Sequence, residues 1–142
     1  MTEIASKPES ALDQALEQVR KNPSEAPFFY DSFLNSDLYV PVQIAGASEG
    51  QGRPVGWDES FHPLYLKIED TRVVPVFDSW ERLKAWSAPK SPDYLYLRCH
   101  VLLGILAQDV AAVLNLATSW NHFFPPDILD RLRNAMKPVK PS

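Results

Sequence analysis

Cys99 is the only cysteine in the chain, which rules out an internal disulfide framework. A lone thiol suits a reducing compartment, so a cytoplasmic location is expected. The first ten residues are polar and carry no apolar core of a signal peptide. No hydrophobic run approaches the ~20 residues of a membrane span. The longest, residues 101–106 and their neighbours, is broken by Gln108 and Asp109. Positive charge is also short: 14 Lys and Arg against 18 Asp and Glu give a formal net charge of −4. An acidic chain has no electrostatic footprint for a nucleic-acid backbone. Its one basic cluster, Arg131, Arg133, Lys137 and Lys140, reads as a solvated helix face and tail. Neither nucleic acid nor membrane is an expected partner.

Catalytic motifs are equally scarce. Four of the five glycines (Gly46, Gly50, Gly52 and Gly56) fall in residues 45–60, but without the spacing of a phosphate cradle. None of Ser79, Ser87 and Ser119 stands in a Gly-x-Ser-x-Gly elbow. Cys99 and His100 are adjacent, and at a strand–helix junction neighbouring side chains point apart, whereas a nucleophile needs its base within reach in space. His62, His100 and His122 have no metal-ligand spacing. Asp58, Glu59, Glu69 and Asp70 lie at turns, where solvated charge is the default reading of a carboxylate. No catalytic residue, metal or cofactor is expected, and the chain reads as a non-enzyme.

What the sequence does contain is patterned. Apolar residues make up 45% and charged residues 23%, enough for the core of one soluble domain in 142 residues. The strongest stretch is residues 71–86. Val73, Val74, Val76 and Phe77 suit a buried strand. Asp78 and Ser79 then offer N-caps, and Trp80, Leu83 and Trp86 share one helical face. Before it, residues 11–20 and 26–34 read as helices, the first ended by Asn22-Pro23. Residues 38–44 read as a strand in which Pro41 calls for an edge or a bulge. After a glycine-rich loop, residues 61–69 read as one strand that turns at Asp70-Thr71 into the next. Pro75 there conflicts with a fully paired central strand.

Beyond residue 86, residues 94–98 read as a strand and 99–107 as a short helix. Residues 110–116 read as a strand or a continued helix, and 120–124 as a last strand. A final helix opens at Pro125-Pro126, with Ile128, Leu129, Leu132 and Met136 on one side. The expectation is an α+β domain over residues 10–137, between a disordered 1–9 and a tail at 138–142. Its sheet is mixed or largely antiparallel, of five or six strands, flanked by four or five helices.

Aromatic residues are the best functional clue. Of four tryptophans, Trp57 and Trp120 are the least easily assigned to a core. Tryptophan and tyrosine concentrate at interface hot spots. Trp57, Tyr65, Trp120 and His122 are therefore the candidate interaction surface.

The order of these elements resembles the N-terminal domain of the SseB family, bacterial proteins named for enhanced serine sensitivity. The features that carry the likeness are Phe33-Leu-Asn-Ser before Leu38-Tyr-Val-Pro41, Val74-Pro-Val-Phe77 running into Asp78-Ser-Trp-Glu-Arg-Leu-Lys-Ala-Trp86, and Val113-Leu-Asn-Leu116 before a proline-started helix. They cover residues 11–136. Similar sequences follow the late asparagine with Pro-Gly; here Asn115 is followed by Leu-Ala. Longer members carry a second domain, for which this chain is expected to have no room. The resemblance implies fold more than activity. It points to a protein-interaction or regulatory module, open to self-association as a symmetric dimer. The second reading is a binder of an amino-acid-related small molecule, or a minor metabolic enzyme, with a pocket at His62, His122 or Asp58.

Overall fold

The computed structural model describes residues 7–44, 50–56 and 58–136. Five α-helices and seven short strands follow in the order α1 (Ala11–Lys21), α2 (Ala26–Leu34), β1 (Asp37–Ile44), β2 (Phe61–Pro63), β3 (Leu66–Ile68), β4 (Thr71–Val76), α3 (Trp80–Ser87), β5 (Asp93–Arg98), α4 (Cys99–Ile105), β6 (Ala111–Leu114), β7 (His122–Phe124) and α5 (Pro126–Met136). A 3₁₀ turn, Pro23–Glu25, joins α1 to α2. The class is α+β, as expected, but the strands form two sheets: β2-β1-β5 and β3-β4-β6-β7. All pairs are antiparallel except β4 with β6.

Two prolines account for the division. Tyr39 N–H donates to the Phe77 carbonyl (2.7 Å) and Phe77 N–H to the Tyr39 carbonyl (3.0 Å), a single antiparallel bridge between the chains of β1 and β4. Extending that register by two residues would set Pro41 opposite Pro75. Neither has an N–H to donate, so the ladder stops and the strands diverge like a fork. Residues 61–68 fill the opening: β2 pairs with β1, Leu64 N–H donates to the Pro41 carbonyl (3.0 Å), and β3 pairs with β4. The single strand expected over residues 61–69 is thus two strands in two sheets, because its neighbours part beneath it. Pro41 is not on an edge strand either: β1 is the middle strand of its sheet, and the bond Pro41 cannot make faces the fork. Pro75 is tolerated likewise. Asn115 N–H donates to the Val76 carbonyl, so Val76 faces β6 and Pro75, one residue earlier, faces away from it.

Both sheets turn one face to the same core. Leu38, Val40 and Val42 of β1, Leu95 and Leu97 of β5, Val74 and Val76 of β4, and Phe124 of β7 meet Leu12 and Leu16 of α1, Phe29 and Phe33 of α2, Leu102 of α4, and Leu129 of α5. The Phe124 ring stacks on Phe33 (4.2 Å between centroids) and Phe29 (5.8 Å). Helix α3 lies on the opposite face, where Trp86 packs on Phe77 (5.4 Å). Its cap is Ser79, which accepts from Arg82 N–H. The turn between β3 and β4 falls at Glu69 and Asp70, one residue earlier than expected, with Glu69 at φ +48°. Of residues 110–116, read as strand or continued helix, Ala111–Leu114 form strand β6. Residues 1–6 and 137–142 and the side chain of Met136 lie outside the described residues.

Candidate functional site

Four candidate surface residues were expected from the sequence, and the three that are described do not come together. Trp57 lies outside the described residues. Tyr65 stands at the step from β2 to β3, exposed, with the Arg72 guanidinium 4.9 Å from its ring centroid. Trp120 and His122 are at the other side of the four-stranded sheet, near β7. Trp120 is not a surface residue: it is 4% exposed. Arg20 of α1 covers it, 5.0 Å from the ring centroid, and donates to the carbonyls of Ser119 (2.9 Å) and Asn121 (3.2 Å). The half-buried His122 packs edge-on to Phe29 and Phe124. Burial, and then the Arg20 charge, push its imidazole below the usual value, so it is neutral near pH 7.

The other titratable candidates also separate. His62 is in β2, His100 in α4 and His122 in β7. Among the described residues no three His, Cys, Asp or Glu side chains are grouped to hold a metal ion. No helix of the described residues is long and apolar enough to cross a membrane. Cys99 is fully buried, and burial pushes its thiol far up, away from the thiolate a nucleophile needs. Iodoacetamide is therefore expected to leave Cys99 unmodified in native buffer and to label it fully in denaturant. Native labelling at the rate of a free thiol would overturn this burial.

The most polar buried cluster was not legible in the sequence. Ser10 caps α1 in a capping box with Asp13. Asp13, 1% exposed, takes both terminal nitrogens of Arg82 from α3, and Arg82 also donates to Asp78 (3.0 Å). Ser10 Oγ donates to the second Asp78 oxygen. Asp78 N–H in turn donates to Asn115 Oδ1 (3.1 Å) at the end of β6. Burial alone would raise the Asp13 carboxyl. The Arg82 bond and charge, with bonds from the Glu9 amide and Ser10, outweigh it and hold the group below its ordinary value. Every acceptor here is committed to the fold. The cluster ties α1 on one face of the sheets to α3 on the other, and has no free acid or base.

A more open arrangement lies on the α3 side. Tyr39 of β1 sits beside Tyr96 (4.6 Å between centroids) and Tyr94 (5.6 Å) of β5. Strand alternation puts all three on the outer face, since Tyr39 pairs with Tyr96 while Leu38 and Leu97 face the core. Tyr96 is 53% exposed, and Trp80, at the start of α3, 38%. The charge of Glu81, next to Trp80, reaches Tyr39.

Beyond Tyr94 the surface opens into two adjoining clefts, about 930 and about 220 Å³, that share Ser87, Lys90, Ser91 and Pro92. One wall is α3. The other is built from residues 50–53 laid against 91–94. Asp93, buried, accepts from the N–H groups of Gln51 (2.9 Å) and Arg53 (3.3 Å), and Tyr94 N–H donates to the Arg53 carbonyl (3.1 Å). A Cβ at Gly50 would come within 2.7 Å of Pro92 Cα, and Gly52 takes φ +69° against Ser91. Arg53, then the Gly56 amide, hold the Glu59 carboxyl at about 2. Gly50 and Gly52 thus let the loop press onto the start of β5, fixing a wall of the clefts.

Fold and site together define an α+β domain with a forked sheet and an aromatic outer surface. Residues 12–131 match the SseB protein N-terminal domain, and the chain belongs to that family. No curated protein and no solved structure matches it.

Proposed function

We propose that the chain is a non-enzymatic protein-interaction module of the bacterial cytoplasm, and that it binds its partner through the outer surface at Tyr39, Tyr94, Tyr96 and Trp80. The observation that carries this reading is the cluster of three tyrosine rings on a sheet face, with Tyr96 53% and Trp80 38% exposed. Aromatic side chains with one wet end supply large contact area at low entropic cost, and dominate interface energetics. The small-molecule reading needs a cavity at His62, His122 or Asp58, and neither cleft contains any of them.

The test is affinity capture from native cells with the full chain and with the Tyr96→Ala/Trp80→Ala variant. Both side chains are exposed, so the variant is expected to fold, as circular dichroism would verify. A protein bound by the native chain should fall at least tenfold in recovery, since hot-spot truncation costs about 2 kcal/mol or more. Unchanged recovery would overturn the assignment of the surface. Sedimentation at rising concentration separates a foreign partner from a symmetric dimer.

A further inference from the structure

The smaller cleft is lined by charge of the sign opposite to the chain's net charge. The protein is −4 overall, yet the only ionised side chains lining this cleft are Lys84 and Lys90. Neither joins any ion pair among the described residues. Lys84 lies with its ammonium 4.8 Å from the Trp80 ring centroid, an arrangement that holds the cation without neutralising it. The opposite side is the fixed wall of residues 50–53 and 91–94, anchored on buried Asp93.

Two lysines that line one cleft with a fixed wall, and join no ion pair among the described residues, suit an anion. Size decides which kind. Pockets for whole small molecules run to roughly 300–1,000 Å³, and a cleft of about 220 Å³ takes a side chain. The adjoining cleft of about 930 Å³, floored by Val42, Leu64 and Trp86, can hold the segment that bears it. We propose that the partner of this surface presents an extended acidic segment, with a carboxylate side chain seated between Lys84 and Lys90. This rests on the interaction reading above and names the chemistry of the partner. A second copy of this chain is the competing occupant, and it would have to seat one of its own carboxylates between the lysines of the other copy.

The test is an NMR titration of the full ¹⁵N-labelled chain with a short polyglutamate peptide, with polyglutamine as control. The expected result is saturable shifts of the Trp80 indole N–H and of the Lys84, Ser87, Lys90 and Ser91 amides. Affinity should fall about tenfold in Lys84→Gln/Lys90→Gln, since two partly exposed ion pairs are lost, and should fall again in high salt. Equal shifts in the variant or with polyglutamine would overturn the proposal. So would full saturation by inorganic phosphate at the same sites, which would mark a free-anion site, or the same shifts on concentrating the chain alone, which would mark self-association. A captured partner lost with Tyr96→Ala/Trp80→Ala but unaffected by Lys84→Gln/Lys90→Gln would overturn the acidic segment and leave the surface standing.

Discussion

Replacing Arg82 with methionine is expected to lower the unfolding free energy by about 3–5 kcal/mol, the range seen when one partner of a buried ion pair is removed. Asp13 and Asp78 would stay behind in a protein interior with no cation between them. The loss should depend on pH, with a reversed sign. In the native chain Asp13 is held below its unfolded value near 4, so its contribution is present above about pH 4 and fades in acid. Without Arg82 the burial of Asp13 is unopposed and raises the folded carboxyl above the unfolded one. Its contribution is then present only in acid and fades as pH rises. The deficit of Arg82→Met should be smallest near pH 4 and largest at neutral pH, as urea unfolding from pH 4 to 7.5 would measure. Asp13→Asn/Arg82→Met should recover part of the neutral-pH loss, because it removes a stranded charge. A deficit below about 1 kcal/mol that is flat with pH would show that the cluster is too well hydrated to act as a buried pair.

That cluster also marks where sequence reasoning stops. Helix α1 was legible because Leu12, Leu16 and Val19 repeat at helical spacing, and Asn22-Pro23 ends it with local chemistry. The stop and start around α2, the strand β5 and the proline-opened α5 were legible for the same reason: each signal lies within a few residues of the element. Asp13 and Arg82 are 69 positions apart, and nothing near Asp13 in the chain reports its partner. The fork shows the same limit. Pro41 and Pro75 were each visible as a defect in a strand. That they fall opposite each other, and so part the sheets, depends on a register set by the Tyr39–Phe77 bridge.

The candidate surface divides in the same way. Alternation in Tyr94-Leu-Tyr-Leu-Arg98 puts both tyrosines on one side of a strand, and Tyr39 alternates similarly in β1. Their meeting requires β1 and β5 to pair across more than fifty residues. Trp120 was misplaced because its cover, Arg20, comes from α1, 99 positions from the Ser119 carbonyl it grips. Trp80 shares a helical face with Leu83, and only the tertiary packing shows that Leu83 is buried while Trp80 stays open.

Asn115→Ala is expected to cost about 2–5 kcal/mol, from two sources that a second substitution separates. Asn115 is fully buried at φ +52°, a left-handed backbone that asparagine tolerates and alanine enters at about 1–2 kcal/mol. Its Oδ1 is the acceptor for Asp78 N–H, and losing it leaves that donor unpaired at about 1–3 kcal/mol. Asn115→Gly removes the acceptor and not the backbone preference, so it should cost about 1–3 kcal/mol, clearly less than alanine. Equal losses for Ala and Gly would place the whole effect in the Asp78 bond. Nδ2 donates to nothing among the described residues, so no third bond enters the comparison. Asp78 also links this position to Arg82, since its backbone is held by Asn115 and its carboxylate by Arg82. Residues that share a partner do not add independently. In the double variant Arg82→Met/Asn115→Ala the second substitution acts on an Asp78 already released by the first. Its combined loss should fall short of the sum of the single losses by more than about 0.5 kcal/mol. A strictly additive pair would mean that the end of β6 and the α1–α3 staple stabilise the sheet end separately, joined by proximity alone.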